Sequence, residues 1–228
     1  MIKNRTAQLI FQTVYVVLGF IGIIGSIGYF DKTFNGNFYV YYTNLSNYIC
    51  FGVMLAALIQ TAKASSKKED GYVKTAPTFN FLCVIMILIT CLVYNFLLAG
   101  EQTASSYFLS ISNLALHLIL PIMFLVHWIL FYEHNKLKWF HPLLCTIMPI
   151  VYVIFILIRA AIMQNVSGSL LYPYFFLDVN TLGWGGFFMW IAILFVVFVA
   201  LGYVLYFFDN FKYFKEKYKN RKNKTLQK

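Results

Sequence analysis

The chain is predicted to fold as an all-α, polytopic six-transmembrane-helix bundle, and three observations carry that prediction. It is 61% hydrophobic and 11% charged over 228 residues, with a mean hydropathy of +0.71, whereas soluble domains are about 45–50% apolar and about 25% charged. Six separate stretches reach the roughly 20 apolar residues that a bilayer-crossing helix needs. The 18 basic residues fall almost wholly between those stretches. A water-soluble globule is excluded. A nucleic-acid partner is not expected either, because a net charge of +10 rests here on too few residues to coat a soluble basic surface.

The spans are placed, in order, at Gln8–Phe30, Phe38–Gln60, Phe79–Ala99, Tyr107–Phe131, His141–Met163 and Trp184–Phe208. The first follows Lys3 and Arg5, as a signal peptide would. Its apolar run is too long for a signal h-region, and Gly28-Tyr29-Phe30-Asp31 is no small-residue cleavage site, so it is expected to be a retained helix. The second opens on the polar run Tyr41–Asn47. The fourth carries Pro121 and the fifth carries Pro149, both potential kinks. The sixth ends where a basic tail begins.

Six spans put both termini on one side. With that side cytoplasmic, 16 of the 18 basic residues lie inside and only Lys32 and Arg159 lie outside. Short-loop basic residues set orientation, so a multi-pass cell-membrane protein with cytoplasmic termini is expected. Residues 1–211 read as one transmembrane domain and 212–228 as a basic cytoplasmic tail. The tail interleaves Phe211, Tyr213, Phe214 and Tyr218 with lysines, which suits either anionic lipid headgroups or a solvated stop-transfer segment. The expected partners are membrane lipids.

Cys50, Cys83, Cys91 and Cys145 all sit within apolar runs and show no CxxC spacing. They read as small core residues rather than a disulfide frame or zinc site. No Walker loop, GxGxxG or HExxH is present, and the histidines lack ligand spacing. No metal and no organic cofactor is expected.

Polar side chains within a bilayer are costly and face the bundle interior, so each marks a functional hypothesis. Thr43, Ser46, Asn47 and Cys50 follow i, i+3, i+4, i+7 and share one helical face. Ser110, Asn113 and His117 form a second such stripe ahead of Pro121. Arg159 lies close to the outer end of the fifth span. Between spans five and six runs Tyr172-Pro173-Tyr174-Phe175-Phe176-Leu177-Asp178, too aromatic for an ordinary solvated loop. At ~1.5 Å per residue, Thr43 lies ~8 Å and His117 ~15 Å below the outer surface.

A hydroxyl, an imidazole, a guanidinium and a carboxylate are therefore expected around one outer cavity. A threonine hydroxyl becomes a nucleophile when a neutral histidine takes its proton, which makes Thr43 and His117 the candidate catalytic pair for ester cleavage. Asn47 and Asn113 are candidate oxyanion donors. Arg159 would pair with a lipid carboxylate or with Asp178, and Ser46, Ser110, Tyr172 and Asp178 would line the site. Structural roles compete: a helix cap for Thr43, interhelical hydrogen bonding for His117, snorkelling for Arg159 and an interfacial belt for the aromatic loop. A binding or transport protein using the same cavity is the alternative to a hydrolase.

Tyr42-Thr43-Asn44-Leu45-Ser46-Asn47, His117-Leu118-Ile119-Leu120-Pro121, Arg159 and the Tyr172–Asp178 run occur in order, on a common membrane side. Together they resemble the androgen-induced (FAR-17a-like) family of six-span membrane proteins, most of all its bacterial branch. The resemblance implies a threonine hydrolase of fatty acid/hydroxy fatty acid-type esters, with the nucleophile on Thr43 and the essential histidine on His117. Departures from the family pattern are His127 before Trp128, where an Asp is usual, and Phe175, where the loop usually carries a second proline. They leave Thr43 and His117 in place and bear on which ester is the substrate.

Overall fold

The computed structural model describes residues 4–30, 32–67, 76–98, 100, 110–211 and 213–215. Tyr107, half of the polar loop 63–78 (residues 68–75) and almost all of the basic tail lie outside the described residues. Within them the protein is all-α, and six helices are long and apolar enough to cross a membrane: α1 (Arg5–Ser26), α2 (Tyr42–Ser66), α3 (Pro77–Leu98), α4 (Ile111–Phe131), α5 (His141–Met163) and α6 (Val179–Asp209). The observed ends differ from the expected ones mainly where local chemistry intervenes. The segment Phe38–Val40 forms a separate 3-10 turn ahead of α2. The sixth helix begins at Val179 because Asp178 caps it, accepting from the N–H groups of Asn180 and Thr181.

The interior-facing stripe of α1 is polar at one end and minimal at the other: Gln8, Gln12 and Tyr15, then Gly19, Gly22 and Gly25. Its opposite face, with Ile10, Val14, Val17 and Phe20, is exposed and apolar, as a lipid-facing surface should be. The glycines let the backbones approach. A Cβ at Gly22 would stand 2.9 Å from a Leu116 methyl. That close approach is the small-residue packing typical of membrane helices, where dispersion rather than water expulsion drives association.

Helices α1 to α4 interlock into a dense half around Tyr15, Cys50, Met54, Phe81 and Phe124. The helices α5 and α6 complete the bundle more loosely. α6 breaks at Gly183 (φ 65, ψ 169), inside an otherwise continuous helix. That conformation is open almost solely to glycine, and it turns the first turn of α6 away from its long remainder. A second core of Val40, Tyr152, Ile156, Tyr174, Phe176 and Leu177 joins the aromatic loop to α5 and to the approach to α2.

Candidate active site

The site is assembled at the head of α2, at the end of the bundle opposite the termini. The first N–H groups of a helix have no partner inside it, and Tyr41 at the N-cap position supplies no side-chain cap. The Tyr174 phenol takes over: Thr43 N–H donates to its oxygen at 3.3 Å. Tyr152 donates to the Val40 carbonyl at 2.8 Å. Burial pushes the Tyr174 phenol up to about 12, so it keeps its proton at neutral pH.

Thr43 also lines an elongated cavity of about 270 Å³. The other walls come from α3 (Ile89, Thr90, Val93), α5 from Thr146 to Leu157, the loop at Tyr174 to Leu177, and α6 from Trp184 to Phe198. At ~1.5 Å per residue those stretches of α5 and α6 run for ~16–21 Å. Ile150, Ile154, Trp184, Phe188 and Phe195 belong to the wall and are exposed, so the cavity is a groove open sideways toward lipid between α5 and α6. Among the described residues its polar side-chain groups are hydroxyls of Thr and Tyr and the Trp184 indole N–H, and no charged side chain lines it.

His117 lies in α4, in a π-helical turn, Ala115–Ile119. Pro121 accounts for the local geometry. It has no N–H to give to the carbonyl four residues back, which is that of His117. The Leu120 N–H, moreover, reaches to the Ala115 carbonyl, five residues back, freeing the Leu116 carbonyl as well. Two asparagines take these carbonyls: Asn95 donates to that of His117 at 3.0 Å and Asn47 to that of Leu116 at 3.0 Å. Asn95 itself sits in a second π-helical turn, Tyr94–Leu98. Isolated π-turns recur at functional sites, and here two of them meet at one histidine.

The His117 ring stacks on Tyr94, with centroids 3.5 Å apart and planes 14° from parallel. Its Nδ1 lies 3.1 Å from the Asn113 carbonyl. A carbonyl can only accept, so Nδ1 carries the proton and Nε2 presents a lone pair. This is the tautomer a general base requires. Among the described residues no hydrogen bond joins His117 directly to Thr43; Asn47 stands between them, donating to the Thr43 carbonyl at 2.8 Å as well as to Leu116.

The remaining expected residues take definite places. Both amide hydrogens of Asn47 are engaged by carbonyls, so it holds backbone rather than presenting donors to the cavity. Ser46 shares a 2.6 Å hydrogen bond with Thr90 and donates to the Thr43 carbonyl. Ser110 caps α4 by accepting from the Asn113 N–H, and Asn113 contributes its carbonyl to His117.

Arg159 corrects the expected pairing with Asp178. It is buried, and its guanidinium donates to the Leu170 and Leu171 carbonyls and to the Asn37 side chain. The Asp178 carboxylate is occupied by the cap of α6 and the Thr181 hydroxyl. Tyr172 lies outside the groove wall, with its phenol pushed up by burial and by the nearby Asp178 charge. Its neighbour Tyr174 is the loop residue that reaches Thr43. In a seven-residue stretch with five aromatics and a 3-10 turn, no sequence periodicity separates the two.

No group of three or more His, Cys, Asp and Glu side chains converges as a metal site among the described residues. No protein-family profile, no curated protein and no solved structure matches the chain.

Proposed function

We propose that the chain is a membrane-embedded hydrolase of lipid esters, of the fatty acid/hydroxy fatty acid type, with Thr43 as nucleophile and His117 as general base. The observation that carries this is the placement of Thr43. Its hydroxyl stands at the head of an apolar, lipid-open groove, where an acyl chain lying between α5 and α6 would present its ester carbonyl. Across Asn47, which donates to both the Thr43 and the Leu116 carbonyls, is a histidine whose tautomer leaves Nε2 unprotonated. Thr43 loses its proton to His117 Nε2 as it attacks the carbonyl. Catalytic hydrogen bonds of this kind commonly tighten only when substrate is bound. The developing oxyanion is met by the Tyr174 O–H, whose oxygen the Thr43 N–H holds in place, replacing the amide donors expected from the sequence. Protonated His117 then delivers its proton to the leaving alkoxide, and an acyl group remains on Thr43.

Arg159 is a positioning residue in this scheme. By holding the Leu170 and Leu171 carbonyls against Asn37, it anchors the loop that carries Tyr174. The orientation follows from charge: the termini and the basic loops lie in the cytoplasm, so the site opens to the outer leaflet of the cell membrane.

The uncharged groove wall favours a second reading, a lipid binding or transport protein that uses the groove without chemistry. A fluorophosphonate probe on purified protein separates the two. Labelling that depends on Thr43 and His117 is expected of the hydrolase. Labelling that survives both Thr43→Ala and His117→Ala overturns it, and lipid flux or binding undiminished in Thr43→Val supports the second reading.

A further inference from the structure

The bundle interior holds buried polar atoms that the scheme above does not use. Gln8 Nε2, Gln12 Oε1, Tyr15 OH, Tyr42 OH and Asn47 Oδ1 are all buried without a hydrogen-bond partner. An unpartnered polar group in a bilayer interior is costly, and these five are not scattered. Gln8, Gln12 and Tyr15 follow i, i+4, i+7 on the interior face of α1, starting one turn from the terminal end of the bundle. Gln12 is paired at 2.9 Å with His127 Nε2 from α4. Helix α2 runs the other way, and Asn47 and Cys50 continue the Thr43 face toward the membrane centre. The two rows meet there: Tyr15 and Cys50 belong to one buried cluster, and Tyr42, which also reaches the groove wall, packs against it.

We propose that this row is a water path along the inner face of α1, where α2 and α4 pack on it, leading from Gln8 past Gln12 and His127 to Tyr15, Tyr42 and Asn47, and so to Thr43. Buried waters settle where unpaired polar groups supply two to four partners, and amides, an imidazole and phenols in sequence supply them. The groove cannot serve the same purpose, because its mouth opens to lipid. This path presupposes the Thr43 acyl-enzyme proposed above and adds where its second reactant comes from. In deacylation the water oxygen bonds to the acyl carbon while the bond from that carbon to Thr43 oxygen breaks. One water proton passes through His117 to Thr43, and the product leaves as a carboxylic acid that ionises. Acylation consumes no water.

That asymmetry is the test. The full chain in detergent or liposomes is mixed with a chromogenic fatty acyl ester, and first-turnover alcohol release is followed separately from steady-state turnover. Gln12→Leu and Tyr15→Phe are compared with Val14→Leu on the lipid face. The water path predicts that both interior variants label with fluorophosphonate and give the first alcohol at the wild-type rate, while turnover falls about tenfold and acyl-Thr43 accumulates by mass spectrometry. Wild-type turnover in variants that still form acyl-Thr43 overturns the path and leaves the hydrolase standing. No acyl-Thr43 in the wild type overturns both. Where Gln12→Leu fails to label because it fails to fold, Tyr15→Phe, which removes a single hydroxyl, decides.

Discussion

The two sides of Thr43 are built on opposite principles. Toward α5 and α6 the protein is loosely packed, aromatic and aliphatic, with an open groove whose wall carries no charge. Toward α1 and α4 it is dense and full of buried amides, with glycines at Gly19, Gly22 and Gly25 drawing the backbones together. In lipid an apolar wall costs nothing to expose, whereas each buried amide must find a partner. In the proposed hydrolase, recognition of a hydrocarbon chain would fall to the side that needs no specific polar contacts. Proton handling would fall to the side that is already obliged to organise them.

The comparison breaks most visibly at its boundary. Thr43→Ala removes the proposed nucleophile while leaving both sides intact, and ester hydrolysis is expected to fall by about 10³-fold or more with folding unchanged. His117→Ala should cost a similar factor, since residues acting as a unit do not contribute additively. A Thr43→Ala protein that still turns over esters at the wild-type rate would dissolve the division of labour altogether.

Next comes the phenol that closes the groove at its head. Tyr174→Phe deletes the O–H while keeping the ring between Tyr41, Tyr152 and Phe176. Loss of a single oxyanion donor typically costs about 10²–10³ in kcat, and this variant is expected at about 10², with little change in KM. A rise in KM at constant kcat would instead make Tyr174 a ground-state contact.

The groove side itself is probed by filling it. Ile154→Trp places bulk in the wall that faces lipid, so activity on long-chain esters should drop by about tenfold and on short-chain esters by less than about twofold. Equal losses on both would mean that the acyl chain lies elsewhere.

These expectations draw unequally on the sequence. The six spans were legible because hydropathy is a local sum, and the Thr43–Ser46–Asn47–Cys50 face followed from helical spacing alone. Pro121 was legible as a kink site but not as the source of a freed His117 carbonyl, whose partner Asn95 comes from another helix and is absent from any local pattern. Arg159 was visible as an isolated charge. Its partners are backbone carbonyls of Leu170 and Leu171, which every residue possesses and no residue type signals. Gln8, Gln12 and Tyr15 were overlooked because single polar residues hardly lower the hydropathy of a span. Only burial without partners makes them conspicuous.

The smallest effect expected tests what ties the two sides together at the terminal end. His134, in the loop after α4, bonds the Asp209 carboxylate at the end of α6 at 2.8 Å. Asp209 accepts in addition from the Asn135 N–H. The Asp209 hydrogen bond raises the His134 imidazole above its ordinary value against the opposing cost of burial. Lys136 is engaged with Glu133 at 3.2 Å. A raised folded-state value means that the protonated form is favoured by folding. The contribution is therefore fully present below the unfolded value of about 6.5 and is lost as pH rises through the higher folded value. Thermal stability in detergent should fall by roughly 1–3 °C between mildly acidic and mildly alkaline pH. His134→Gln should flatten that slope, because glutamine can still donate to Asp209 but does not titrate. A slope that persists in His134→Gln would place the titrating group elsewhere. The α4–α6 junction would then be held by packing of Trp128 and Phe208 rather than by charge.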